Sequence, residues 1–346
     1  QTWSYEGIPF GVGRPELVGT LPEYRNRGLV RAQFDEVHTW SAERGELVQG
    51  ITGIPYFYRQ FGYEMGLELG GGHTGFEPQL PKLPKGQKEP VTFRKAVEAD
   101  IPFLMEVSIH ATRRYLITCP YDETMWRYVL SGQSKNNVNR HEFRIIERAG
   151  TKEPLGYLMH PWYHWNTGLI TNTYELKSGV SWLEVTPAVA RYLWKIGDRL
   201  LAKEEKSQTA YAFWLGSEHP AYEVLREALP RIRQPYAWYI RIPDLPAFLL
   251  HIKPVLERRL AESIAIGYSG MLKVSLYRSG VRMIWEKGIL SEVEAWQPKP
   301  SDEGQAAFPN LTFLRLVFGH ATLDELKSAF ADCWYQNDET RLLLNI

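Results

Sequence analysis

Residues 16 to 53 confine the fold more tightly than any other part of the chain. ELVGT (16–20) has the character of a strand end, and a turn holding one glycine, Arg25-Asn26-Arg27-Gly28, follows it. Val30, Phe34, Val37 and Ser41 then recur at i, i+4, i+7 and i+11, which predicts one face of a helix that Gly45 can end. LVQGITG (47–53) reads as a second, buried strand. Strand, helix and strand with short joints form a parallel crossover, and both strands direct their carboxyl ends toward the helix start. Ligands bind there in open α/β sheets.

The turn is chemically unusual. A helix start leaves its first N–H groups unpaired and carries a partial positive charge, and a glycine lets a phosphate approach the backbone. Arg25, Arg27 and Arg31 add guanidinium donors around Gly28, which suits a ligand with several phosphates. The bland alternative is a solvated helix end. A Walker-type GxxxxGK[ST] run is absent, and GGGHTG (70–75) does not lead from a strand into a clear helix.

Composition narrows the classes. Lys+Arg and Asp+Glu are both 40 among 346 residues, without the basic excess of a nucleic-acid binder, so no nucleic-acid partner is expected. No apolar run reaches the roughly 18–20 residues of a membrane helix, and no secretory signal opens the chain. Cytoplasmic residence without membrane attachment is the expectation. Cys119 and Cys333 form no CxxC pair and read as packed thiols. His160 and His164 share helical spacing but lie among Pro161 and aromatics, so structural histidines are expected and no metal site. Asp35, Glu36, Glu64 and Glu68 could attract a cationic amine, but carboxylates on a helix face or beside a strand are more often solvated, and they are left out of the site. The start at Gln1 and the apolar end RLLLNI read as cut ends.

Composition breaks divide the chain. PQLPKLPKGQKEP (78–90) holds four prolines and three lysines without apolar periodicity and reads as a linker over 79–90. A second break at IRIPDLP gives domains at 1–78, 91–241 and 242–346. In the middle domain a helix begins near Asp100, and SWLEV, the turn Pro187 to Arg191 and the helix after it repeat the first plan without a glycine. The last domain is read as α+β: a helix over 244–260 capped by Asp244, a hairpin turning at Arg278-Ser279-Gly280, a strand LTFLRLVFG, and a helix opened by Thr322 with Glu325 at capping-box spacing.

VGTLPEYRNRGLV resembles the acyl-CoA binding turn of the GNAT N-acetyltransferases, with Arg25, Gly28 and Val30 at its three marked positions. Val30 departs from the usual small residue. Tyr58-Arg59-Gln60-Phe61-Gly62-Tyr63 resembles the second signature of that family, a tyrosine before an aromatic-glycine-aromatic turn. The order of the three segments resembles Eis-type acetyltransferases. The resemblance implies an α/β and α+β chain: two GNAT-type acyl-CoA N-acyltransferase domains, the first incomplete and the second degenerate, then an SCP2-like domain missing its end.

The same resemblance implies direct transfer of an acyl group, acetyl foremost, from acyl-CoA to a primary amine of a small molecule or peptide, with no metal. The pyrophosphate falls to the backbone of Arg25, Asn26, Arg27, Gly28, Leu29 and Val30, and the thioester carbonyl to the N–H near Val18. The pantetheine arm falls between the ELVGT and LVQGITG strands. Tyr58 is the expected general acid, since a phenol stays protonated at neutral pH. Homo-oligomers are implied as well. Two rivals are a lipid- or CoA-binding protein using the SCP2-like domain, and a tandem-GNAT aminoacyl transferase, which the neutral charge balance disfavours.

Overall fold

A computed structural model of the chain describes residues 1–163, 168–203 and 205–346. The chain forms two compact units. The first gathers Gln1–Glu68, Tyr115–Cys119 and Ala237–Ile346; the second holds Leu69–Arg114 and Pro120–Tyr236. These differ from the expected segments, because residues 1–68 and 237–346 share one core: Trp3, Tyr5, Phe10, Val12 and Val48 pack in a single cluster with Phe248, Ile252, Val274 and Val281. Apolar side chains at the two ends of the sequence thus leave water together, which no local composition break can report.

The first unit opens with a hairpin of β1 (Thr2–Tyr5) and β2 (Ile8–Gly13), turned by Glu6 and Gly7, both at positive φ. Helix α1 (Leu29–Glu43) leads to β3 (Val48–Ile51), which pairs in parallel with β2 at Val12–Val48 and Gly13–Gln49. The crossover is therefore real, but its first strand is Ile8–Gly13 and ELVGT is not a strand. Pro15 has no N–H to donate, and Leu17 is fully exposed at φ 55, so this segment cannot join a ladder. Phe34 and Ser41 of the expected stripe are buried, and Gly45 ends the helix at φ 67.

The sheet continues through Tyr236–Arg241, which lies between β3 and β4 (Glu64–Leu69). A five-stranded sheet is built on Gly270–Ser275, Gly280–Glu286 and Ile289–Trp296. Asp244 caps Leu245–His251, but the expected single helix breaks at Ile252 before Lys253–Ala261. The run LTFLRLVFG is helical over Phe313–Val317 rather than a strand. Short apolar runs do not separate the two states by periodicity. The Thr322–Glu325 capping box is present. Cys333 is buried, whereas Cys119 is exposed and so is not the packed thiol expected.

In the second unit, Gly72–Phe76 pairs with Ala210–Phe213 and Arg231–Arg233, so the unit begins before the proline-rich stretch. Two four-stranded sheets meet where the chain passes from Gly168–Thr171 to Thr173–Leu176. Gly168–Thr171 pairs in parallel with Ala210–Phe213, and the connecting helix is Trp182–Ala202. WLEV (182–185) and Pro187 to Arg191, read as strand and turn, both lie within that helix. Ser181 caps it, and Pro187 sits in its second turn, where the missing N–H costs one helical bond.

Candidate functional site

The site lies in the first unit, at the carboxyl ends of β2 and β3. Gly28 is the N-cap of α1 at φ 75, and Asn26 is also left-handed at φ 61. From Asn26 through Arg31 no backbone N–H meets an acceptor among the described residues; the first helical bond runs from Ala32 N–H to the Gly28 carbonyl, 3.1 Å. Six consecutive donors are thus held in a turn that rests on a 15-residue helix.

The three arginines are exposed, and among the described residues none forms an ion pair. Arg25 Nε donates to the Thr20 carbonyl at 3.4 Å, Arg27 Nη2 to the Glu23 carbonyl at 2.9 Å, and Arg31 Nη2 to Gln60 Oε1 at 3.3 Å. Arg27 lies over the Tyr24 ring and Arg31 over Phe61. Each guanidinium is oriented by a neutral contact and keeps its charge uncompensated, which suits a multiply charged anion.

After Gly13 the chain leaves β3, and from Arg14 to Thr20 no backbone group bonds another backbone group. Val18 lies in this segment, half-buried against the cluster of Phe34, Ile51, Tyr58, Tyr63 and Tyr239. Its N–H has no acceptor among the described residues. Apart from the Thr20 carbonyl, which accepts from Arg25 Nε, the backbone groups of Arg14–Thr20 have no partner among the described residues.

Tyr58 sits in a short 3-10 turn, Phe57–Phe61, and is 6% exposed. Its ring packs at 5.9 Å from Phe34 and 5.6 Å from Tyr239, while its hydroxyl makes no hydrogen bond with a described residue. Burial, reinforced by Tyr239, raises its pKa above the ordinary phenol value. The group is therefore a protonated donor whose hydrogen is not committed elsewhere.

Three residues that sequence reading passed over complete the arrangement. A Cβ at Gly53 would lie 2.0 Å from Tyr58 Cε2 and 2.9 Å from its Oη, so the bare backbone just past β3 admits the phenol. Tyr239 Oη accepts the N–H of Tyr56, a residue at φ 63 just before the 3-10 turn. Arg241 Nη1 donates to buried Gln49 at 2.6 Å, and Gln49 donates to Ser41 at 2.8 Å. Behind them His38 Nε2 lies 2.9 Å from Tyr63 Oη; burial, then the charge of Arg241, lowers the His38 pKa to about 4. Gly53 carried a weak signal, a glycine two residues past the end of β3. Tyr239 and Arg241 carried none, because their partners Tyr56 and Gln49 lie 183 and 192 residues away along the chain.

Of the carboxylates, Glu64 is buried and paired with Arg59 at 2.6 Å, not solvated. Asp35 and Glu36 are exposed. His160 is buried, with its ring nitrogens at 2.7 Å from the Pro161 carbonyl and 3.1 Å from Tyr192 Oη; His164 lies outside the described residues. Among the described residues no group of three metal-ligating side chains is found, and no helix is long and apolar enough to cross a membrane.

Residues 1–66 match the family model described as an acetyltransferase (GNAT) domain. No curated protein matches the chain. Among solved structures, the chain is similar to a GCN5-related N-acetyltransferase from Kribbella flavida, with 16% identity and TM-score 0.64 over 99% of this chain and 79% of that one. A probable N-acyltransferase from Enterococcus faecalis V583 gives 14% identity and TM-score 0.68 over 99% and 81%. Eis1 from Mycobacterium abscessus gives 14% identity and TM-score 0.58 over 99% and 82%. At these identities the likeness is one of fold. The match to the acetyltransferase family model is carried by residues 1–66, the stretch that holds the arginine turn and Tyr58.

Proposed function

We propose that the chain transfers an acyl group, acetyl foremost, from acyl-CoA to a primary amine of a small molecule or peptide by direct attack. The observation that carries this reading is the run of unpaired N–H groups from Asn26 to Arg31 beside the unneutralised Arg25, Arg27 and Arg31. Acyl-CoA supplies the thioester, whose acyl carbon goes to the amine and whose sulfur departs as a thiolate.

The Arg25 N–H is taken by the Pro22 carbonyl at 3.3 Å, so the backbone of Asn26, Arg27, Gly28, Leu29 and Val30 holds the diphosphate, and Arg25 joins Arg27 and Arg31 in covering its charge through the guanidinium. The free edge of Arg14–Thr20 holds the pantetheine amides, and the Val18 N–H donates to the thioester oxygen as its negative charge grows. The amine nitrogen forms the new C–N bond while the C–S bond breaks. Tyr58 gives its hydroxyl proton to sulfur, and the proton lost by the amine passes to solvent. Orientation of the two substrates supplies a large share of the acceleration.

Calorimetry with CoA tests the carrying observation: an Arg27→Ala, Arg31→Ala protein should bind about tenfold or more weakly than the parent. Undiminished affinity in that protein would remove the arginine turn from the site.

One observation favours a second reading, a lipid carrier. A cavity of about 230 Å³ in the first unit is lined by Leu249, Ile252, Leu272, Met283, Trp285 and Phe313 among others. Co-purified lipid together with no CoA binding would favour it; thiol release from acetyl-CoA on addition of an amine favours transfer.

A further inference from the structure

The second unit contains a cavity of about 210 Å³ whose wall combines three cations with aromatic rings. Lys95 ends the strand Val91–Lys95, Lys135 lies beyond the turn at Tyr128–Gly132, and Arg140 immediately precedes the strand His141–Arg148. Ala96 N–H donates to the Phe143 carbonyl at 2.9 Å, which ties the first of these segments to the last. Phe143 is buried in the wall, and Trp162 stands at it half-exposed.

The charges are uncompensated. Arg140 is half-buried, yet its guanidinium has no hydrogen-bond or ion-pair partner among the described residues, and neither ammonium of Lys95 or Lys135 has one. The carboxylate on the wall, Glu142, is already engaged by Arg144. Partial burial of a cation without a partner is unfavourable, and an anion in the cavity would relieve it. His141 donates through Nδ1 to the Asn139 carbonyl at 2.7 Å, which leaves Nε2 as an acceptor. Burial lowers the pKa of that ring, so it stays neutral near pH 7.

We propose that the second unit binds a small phosphate monoester carrying a flat ring, with Lys95, Lys135 and Arg140 on the phosphate and Trp162 and Phe143 on the ring. Three positive charges match a dianion better than a carboxylate, and guanidinium geometry suits phosphate oxygens. The volume is below the about 300–1,000 Å³ of drug-sized pockets, so a single ring fits better than a whole cofactor. The half-exposed indole supplies a face on which such a ring stacks.

Calorimetry on the intact protein at low salt, with phenyl phosphate as probe, tests this. Affinity should fall about tenfold in Arg140→Ala and by about threefold or more in Trp162→Ala, with inorganic phosphate and benzoate both weaker than phenyl phosphate. Lys95→Ala and Lys135→Ala, at exposed positions, should also weaken binding while leaving the unfolding midpoint unchanged. Lys299→Ala, at an exposed position of the first unit, should leave the affinity for phenyl phosphate unaltered. Absence of binding, equal affinity in parent, Arg140→Ala and Lys95→Ala proteins, loss in Arg27→Ala alone, or benzoate binding as tightly as phenyl phosphate would each overturn the proposal.

Discussion

Tyr58 is the residue on which turnover most depends in the proposed chemistry. Its hydroxyl is buried enough to stay protonated through neutral pH and is uncommitted to any described neighbour. Tyr58→Phe should lower kcat by about 10²-fold or more, the usual contribution of a positioned acid, with CoA affinity nearly unchanged. Equal turnover of parent and variant in a thiol-release assay would rule the phenol out. Gly53→Ala acts on the same group from behind. Its Cβ would overlap the Tyr58 ring at 2.0 Å, so the ring or the backbone must shift, at a cost of about 1–3 kcal/mol. Turnover should fall in both proteins, but only Gly53→Ala should also lower the urea midpoint.

The turn, α1 and β3 set the geometry of the proposed anion site, and α1 carries one part of the pH dependence of folding stability. Gly28 sits at φ 75, and a Cβ there would touch nothing within 4 Å, so any penalty for alanine is a backbone penalty. Gly28→Ala should cost about 1 kcal/mol in urea unfolding, and Gly28→Asn less, since asparagine tolerates the left-handed region. A fully retained midpoint in Gly28→Ala would show that the turn relaxes. His38 on α1 has its pKa lowered from 6.5 to about 4 by burial and by Arg241. The folded protein therefore resists protonation there while the unfolded chain accepts it. Stability from this group is complete above pH 6.5 and is lost as pH falls from 6.5 toward about 4. Chemical unfolding across that window should show a shallower pH slope in His38→Gln than in the parent.

At the scale of the molecule, the first unit depends on two ends of the sequence. Tyr236–Arg241 pairs with β3 and delivers Tyr239 and Arg241 to the back of the site, and the core under β1 and β2 is completed by residues beyond 245. A protein ending before Tyr236 should not bind CoA and should lose the aromatic near-UV signal of the Phe34, Tyr58, Tyr63 and Tyr239 cluster. Retained CoA binding would make that strand dispensable. In the full chain, Tyr239→Phe leaves the Tyr56 N–H unpaired and should cost about 1–3 kcal/mol, again read as a urea midpoint.

The sequence by itself determined what is local. The stripe through Phe34 and Ser41, the glycine that opens α1, the buried run that becomes β3, the cap at Asp244 and the Thr322–Glu325 box all follow from interactions within a few residues. The arginine turn belongs with them, because a helix start exposes its donors whatever surrounds it. Tertiary structure decided what depends on distant partners. Whether ELVGT or Ile8–Gly13 pairs with β3, whether LTFLRLVFG is strand or helix, and whether residues 1–68 stand apart from 237–346 turn on which apolar surfaces meet. Burial rewards contact between surfaces regardless of their separation along the chain, so that information resides in the packed whole.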